Sequence, residues 1–169
     1  MTATTSRAKP NLSALLLVGA ASGLVASYLM SQAQRIVPPP ASSESDPATV
    51  KVADLVSRAV GRGDVAAPHR AAAGEVVHYA LGAALGASYA VTAAYRPAIT
   101  RGAGGPFGLG VAAVLDEGLV PALGITPPPW AYGAATHGYS AASHLVFGVC
   151  LEASRRLLLA AVPDQRLAT

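Results

Sequence analysis

The chain has 169 residues, of which 52% are hydrophobic and only 12% are charged. Because an ordinary soluble domain carries about 25% charged residues, this composition argues against a water-soluble fold and indicates a single membrane domain. The net charge of +3 does not indicate a nucleic-acid partner, since the basic residues are scattered and no run is longer than Arg155-Arg156. We therefore interpret the positive charge as a signal of membrane topology, with the lipid bilayer as the first partner.

Four apolar stretches are each close to the length that crosses a bilayer as a helix. A hydrocarbon core of roughly 30 Å takes about 20 helical residues. The predicted fold class is all-α: a polytopic membrane protein with four transmembrane helices and one amphipathic helix in the first extracytoplasmic loop. The four-helix membrane domain would cover residues 12–160, between cytoplasmic tails at 1–11 and 161–169. The apolar stretches are residues 12–30, 71–95, 107–123 and 134–150.

The first stretch allows two interpretations. Arg7 and Lys9 precede it, and Ser31-Gln32-Ala33 after it matches a signal-peptidase site in outline, so it could be a cleaved signal peptide. However, it exceeds the apolar core of about 7 to 15 residues that signal peptides have. Gly19 and Gly23 also have the spacing of glycines in packed membrane helices. We favour a retained first helix.

The segment at 36–70 is predicted to be an extracytoplasmic loop with a helix of its own. Pro38-Pro39-Pro40 ends the first helix, since proline cannot continue it. Asp46-Pro47 predicts an N-cap followed by proline at the first helical position. An amphipathic helix at about 47–60 would lie on the outer membrane surface or cap the bundle. Its apolar residues are Val52, Leu55, Val56, Ala59 and Val60.

The distribution of Lys and Arg predicts the orientation. Cytoplasmic loops collect these residues, and the link at 124–133 has none of them. Both termini should therefore be cytoplasmic, with residues 124–133 outside. The first loop also holds basic residues, so the orientation depends mainly on the contrast between the last two loops. The basic residues of the cytoplasmic segments are Arg7, Lys9, Arg96, Arg101, Arg155, Arg156 and Arg166.

Ionisable residues inside the predicted spans are the main functional clue, because such placement is costly in a bilayer. Counted by depth, Glu75, His78, Asp116 or Glu117, and His144 could converge in the outer half of one bundle. They could fasten helices together by pairing, or form a proton-linked or solute-linked site, since histidine titrates near neutrality. They could also hold a metal, with His78 and His144 as nitrogen ligands. No cofactor is predicted, and hydroxyls could come from Tyr79, Tyr89 and Tyr139.

Two further spacings at the helical period predict contacts. Arg155 and Arg156 follow Glu152 by three and four residues, which predicts ion pairs on the helix surface near its end. Gly82 and Gly86 form a face of small residues that predicts a seat for a neighbouring helix.

The region 118–156 also carries a family resemblance in the order and spacing of its motifs. They are Leu123-Gly124-Ile125-Thr126-Pro127-Pro128, Trp130, Ser143-His144-Leu145-Val146 and Glu152-Ala153-Ser154-Arg155-Arg156. In these the chain resembles the YagU-like family of bacterial inner-membrane proteins, and the likeness extends more weakly through the first two spans. His144 and Glu152 match family positions most clearly, whereas Asp116-Glu117 matches poorly. The family is defined by a domain of unknown function, so the resemblance implies a bacterial inner-membrane location and a helical fold without an activity.

The sequence therefore predicts an integral membrane protein of unknown activity and no enzyme. The leading interpretation is an accessory or assembly-type component, with a membrane-protein partner or as a small homo-oligomer. The first alternative is a small proton-linked or solute transporter or channel acting as an oligomer. An oligomer would be needed because four short helices are few for a transporter. The second is a metal- or cofactor-binding membrane protein. A hydrolase is not favoured, since Ser140 and Ser143 lie outside any GxSxG motif.

Overall fold

The computed structural model describes residues 11–40 and 46–161, and within them the secondary structure is helical. Short 3₁₀ turns precede α3, α4 and α6, and α4 continues through a π-helical turn at Leu115–Leu119 into α5. The predicted tails, apart from their innermost residues, lie outside the described residues, as do Arg7, Lys9 and Arg166. The helices are α1 (Leu12–Ile36), α2 (Ala48–Ala59), α3 (Arg70–Tyr95), α4 (Gly105–Val114), α5 (Val120–Ala122) and α6 (Ala134–Ala161).

Three helical segments are long and apolar enough to cross a membrane, judged by length and composition. They are Leu12–Ile36, Ala67–Tyr95 and Pro97–Ala122. The 28-residue α6 is long enough to span, but it is more polar than α1 and α3 and is not among the three. Of the four predicted spans, three therefore have this support, and the fourth remains a proposal.

The helices extend beyond the apolar stretches that revealed them. α1 continues to Ile36 rather than ending near residue 30, and α6 continues to Ala161 rather than ending near 150. Val37 precedes Pro38 and is not helical, with φ −118° and ψ 93°. A residue before a proline disfavours the helical conformation for steric reasons. Hydropathy thus marks the apolar part of a helix, whereas a backbone break marks its end.

α1 and α3 pack antiparallel through their glycines. Gly19 lies against Gly86, and Gly23 lies against Gly82. A Cβ added to Gly23 would overlap the carbonyl oxygen of Gly82, so the two backbones approach as closely as membrane helices do at small residues. The two glycine pairs that the sequence singles out therefore face each other.

α6 packs on both α1 and α4. Its Gly148 lies against Gly104 and Gly108, so that α4 and α6 also approach through backbone. Gly104 has φ +81°, and a Cβ there would overlap the Gly148 carbonyl oxygen, so this position requires glycine on both counts. The buried apolar core lies between α1, α3 and α6 and consists of Ala26, Met30, Tyr89, Phe147 and Leu151.

These contacts give the lateral helix order α3, α1, α6, α4. α3 and α4 meet at one end, where the rings of Tyr89 and Phe107 lie 4.7 Å apart and the turn Pro97–Gly104 contacts both helices. Beyond that contact a cleft separates α3 from the α4–α5 segment, residues 105–122. α2 packs on α3 and borders the cleft at its far end. We call the two ends of the bundle the Glu152 end and the α2 end.

The N-cap predicted for the second helix is wrong. Pro47 occupies the cap position of α2, and no side chain caps the helix. The Asp46 carboxylate instead accepts from Arg70 Nη2 at 2.9 Å. A charged guanidinium forms a stronger hydrogen bond with a carboxylate than a backbone N–H does, so the ion pair prevails over the cap.

The buried face of α2 also differs from the apolar face that the sequence indicates. Val50, Ala53 and Asp54 are buried, and Val50 lies against Gly74 of α3. Asp54 is buried because Arg70 neutralises it. The larger apolar side chains of this segment remain exposed, namely Leu55, Val56 and Val60.

Candidate functional site

A large cleft lies between α3 and the α4–α5 segment. Its volume is about 900 Å³, near the upper end of the roughly 300–1,000 Å³ typical of small-molecule sites. Most of its wall is apolar, and Leu85, Val111 and Phe147 line its deepest part. Four of the five residues that the sequence nominates for a buried polar cluster line this cleft: Glu75, His78, Asp116 and His144.

Asp116 and His144 lie together on the α4–α6 side of the cleft. His144 Nδ1 is 3.5 Å from Asp116 Oδ2 and 3.0 Å from the backbone carbonyl oxygen of Ser140. Ser140 lies one turn before His144 on α6 and donates its hydroxyl to the same Asp116 oxygen. Asp116 thus connects the π-helical turn to α6 through two side chains.

This set of serine, histidine and aspartate is not a nucleophilic triad. In a triad the serine hydroxyl donates to an imidazole, which the carboxylate orients from its other side. Here the Ser140 hydroxyl donates directly to Asp116, and His144 Nδ1 faces the Ser140 backbone carbonyl. The arrangement connects the π-helical turn to α6.

Glu117 has a separate partner. Its Oε1 is 2.7 Å from Nδ1 of His137, near the start of α6. Both side chains line a second cleft of about 260 Å³ beside the first. The sequence treats Asp116 and Glu117 as alternatives, whereas the π-helical turn lets both acids reach α6. His137 is not among the nominated residues. The signal that could have found it is its place at the start of the fourth apolar stretch, while Glu117 lies towards the end of the third.

The α3 side of the cleft carries Glu75 and His78. His78 Nε2 lies 3.3 Å from the Ser27 carbonyl oxygen of α1, and its ring meets the edge of Tyr79. Glu75 is exposed and makes no hydrogen bond or ion pair within residues 11–40 and 46–161. The nominated residues therefore share one cleft without forming one hydrogen-bonded cluster.

In the described part of the chain, no three His, Cys, Asp or Glu side chains lie close enough to hold a metal ion, and His78 and His144 have separate partners. His78 faces the Ser27 carbonyl of α1, whereas His144 faces the Ser140 carbonyl of its own helix and Asp116.

Arg70 fastens α2 over the cleft. Its Nη2 lies 2.9 Å from carboxylate oxygens of both Asp46 and Asp54. Asp54 also accepts from the Val65 backbone N–H at 2.9 Å. One guanidinium at the start of α3 therefore holds the residue before α2, the middle of α2 and the loop after it.

A second ion pair joins the last turn of α2 to that loop, away from the cleft. Arg58 donates to Asp64, and both side chains are more than half exposed. The hydrogen bond from Arg58 holds the pKa of the Asp64 carboxyl below its usual range.

At the Glu152 end, Glu152 is the centre of a buried cluster. Its side chain is 1% exposed and accepts from Arg155 Nε at 2.7 Å and from Arg156 Nε at 2.6 Å. Tyr89 of α3 donates its hydroxyl to the same carboxylate at 3.0 Å. Both predicted ion pairs of Glu152 form. The spacing alone places them on the helix surface, but Glu152 is buried against α3.

Tyr89 therefore does not belong with the cleft residues. It lies about four helical turns beyond Glu75, which places it at the opposite end of α3. Depth alone could have made that assignment, because the hydroxyl of Tyr89 cannot reach a site near the start of the helix.

Comparison with known proteins now adds one finding. A family model described as "Protein of unknown function (DUF1440)" matches residues 24–153. The chain belongs to this family. The match covers the cleft, Tyr89 and Glu152, and together with the apolar helices it fits a membrane protein of unknown activity. No curated protein and no solved structure matches the chain.

Proposed function

We propose that this protein is a four-span protein of the bacterial inner membrane with a non-enzymatic accessory or assembly role. In this proposal both termini are cytoplasmic, and α2 and residues 124–133 are extracytoplasmic. The Lys and Arg distribution supports the orientation. The likeness to the YagU-like family supports the bacterial inner membrane as the location.

The proposal needs α6 as the fourth span, and the partners of its ionisable groups support this. Such groups are tolerated in a bilayer when they face the protein interior and are paired. His137 meets Glu117, His144 meets Asp116, and Glu152 meets Arg155. α6 also packs on α1 and α4, which are both parts of apolar candidate spans.

The observation that carries the accessory role is that the lining of the cleft stops short of the Glu152 end. Its deepest lining residues are Leu85, Val111 and Phe147, and the Tyr89–Phe107 ring contact joins α3 to α4 beyond them. One chain thus offers a binding cleft without a path to the Glu152 end. A binding or assembly role needs only the cleft, whereas conduction would need a path.

A transporter or channel made of several copies is the second candidate. The contact between Asp116 and His144 on the cleft wall favours it, because histidine changes charge near neutral pH. A path across the membrane would then lie between copies of the chain.

The protein mass in a mild-detergent extract separates these roles. For an accessory component we expect the 16.9 kDa chain to elute with one other polypeptide in a fixed ratio, measured by light scattering and mass spectrometry. Leu119→Trp, which fills the cleft wall, should abolish that association, whereas Leu157→Trp, outside the cleft lining, should preserve it. A mass equal to a whole number of identical chains would support the transporter instead. A single chain alone would contradict both roles.

A further inference from the structure

We infer that the cleft binds a small amphiphilic cation, with one ammonium group joined to a single apolar chain. The inference deepens the proposed function, because it rests on α3 lying in the membrane. Three properties of the cleft support this: its volume, its apolar wall and the charged side chains that line it.

The wall of the cleft suits an apolar chain. The α3 side contributes Val77 and Leu81, the α4–α5 side contributes Leu115 and Leu119, and Phe147 lines the deepest part. Burial of a chain against such surface is favourable by about 25 cal/mol per Å² removed from water. The volume lies within the range of small-molecule sites.

The charges of the lining select a cation. Three carboxylates line the cleft, those of Asp46, Glu75 and Asp116, against one guanidinium, that of Arg70. Arg70 is already shared between Asp46 and Asp54, so it has little capacity left for an anionic ligand. The lining therefore carries more carboxylates than guanidinium groups.

Glu75 is the group that most needs such a ligand. It lies within the candidate span Ala67–Tyr95 and has no hydrogen-bonding or ionic partner among the described residues. An unpaired carboxylate in a span is costly, and a bound ammonium group would remove that cost. Asp116 faces the same cleft from the opposite wall. The ammonium group therefore lies between these two carboxylates, with its chain directed towards Phe147.

Calorimetric titration in a neutral maltoside detergent tests the inference, with octyltrimethylammonium as the probe. We expect saturable binding to the wild-type protein. Glu75→Gln should weaken binding about tenfold, the order expected when one charge is removed from a partly hydrated site. Asp64→Asn removes a carboxylate outside the cleft and should leave binding unchanged. Octyl sulfate, which has an equal chain and the opposite charge, should not bind.

Equal binding by Glu75→Gln and the wild type would overturn the inference, as would equal binding of octyl sulfate. Binding of phosphatidylethanolamine nanodiscs but not of octyltrimethylammonium would assign the cleft to a lipid head group and also overturn it. Glu75→Gln removes no internal contact, and thermal unfolding reported by the single Cys150 checks that it folds. A failed titration would leave the mass measurement of the accessory role unaffected, so the two proposals fail separately.

Discussion

The Tyr89 hydroxyl of α3 donates to the Glu152 carboxylate of α6 at 3.0 Å, and both side chains are buried in the protein interior. Arg155 donates twice to the same carboxylate and lies over the Tyr89 ring. This cluster closes one end of the bundle, while the cleft leaves the α2 end open between α3 and α4. The difference between the two ends is the basis of the functional proposal.

Removing the Glu152 carboxylate should destabilise the bundle strongly. Glu152→Ala leaves the largely buried Arg155 without its partner, and breaking a buried pair from one side costs about 3–5 kcal/mol. Tyr89→Phe should cost about 1.5–3 kcal/mol, as one hydrogen bond to a charged group is lost. Arg156→Ala is the control, because that side chain is 62% exposed and should contribute below about 1 kcal/mol. Denaturation in detergent measures all three, and equal losses for Glu152→Ala and Arg156→Ala would refute the buried cluster.

Glycine substitutions should distinguish helix contacts from open surface. Gly23→Ala places a methyl group against the Gly82 carbonyl and should cost about 1–3 kcal/mol, as overpacking does. Gly110→Ala, in α4, has nothing within 4 Å of the added Cβ and should be neutral or stabilising by up to about 1 kcal/mol. Melting temperatures in one detergent compare the two variants. If both changes have the same effect, the α1–α3 contact is not the one described.

Hydropathy predicts the apolar parts of this fold but not its paired charges or its π-helical turn. Hydropathy located α1, α3 and α4 because a bilayer selects for apolar length. It could not locate the end of α6, where Glu152 and Arg155 continue the helix with paired charges. It also gave no sign of the π-helical turn at Leu115–Leu119, which precedes Pro121, a residue that cannot donate to the carbonyl of Glu117.

The site was predictable by depth but not by direction. Counting residues along each span puts Glu75, His78, Asp116 and His144 in the same half, and all four line one cleft. Depth does not say which way a side chain points around its helix. The contacts of His78 with the Ser27 carbonyl and of Glu117 with His137 follow from helix rotation, which needs the packing of neighbouring helices.

Arg70→Ala should release α2. Its guanidinium holds Asp46 and Asp54, so backbone amides in Ala48–Ala59 should exchange hydrogen faster in the variant. Arg58→Ala, which removes an exposed pair, should leave that exchange almost unchanged.

The same measurement tests the role of Asp46. If Asp46 acts through Arg70, then Asp46→Ala should speed exchange in the wild-type background and add nothing in Arg70→Ala. An undiminished effect of Asp46→Ala in the Arg70→Ala background would restore the capping role.

Reporter fusions should place the two ends of α6 on opposite sides of the membrane. We expect a cytoplasm-active reporter to work after Thr169 and a periplasm-active reporter to work near Ala131, because the flanking segments differ in Lys and Arg. The reverse pattern would contradict the orientation. If reporters at both positions are active on the same side of the membrane, then α6 does not span it and the protein has three spans.

The central claim is that a cleft open at the α2 end enters the membrane beside α3, and thiol labelling tests it most directly. In a Cys150→Ala background, single cysteines replace Leu81, which lines the cleft and is 41% exposed, or Val76, which is 68% exposed and does not line it. Only a thiolate reacts with a charged methanethiosulfonate, and a thiol in lipid does not ionise. We predict that Leu81→Cys reacts from the extracytoplasmic side while Val76→Cys, nearer the α2 end, stays unreacted. Labelling of Val76→Cys without labelling of Leu81→Cys would contradict the cleft.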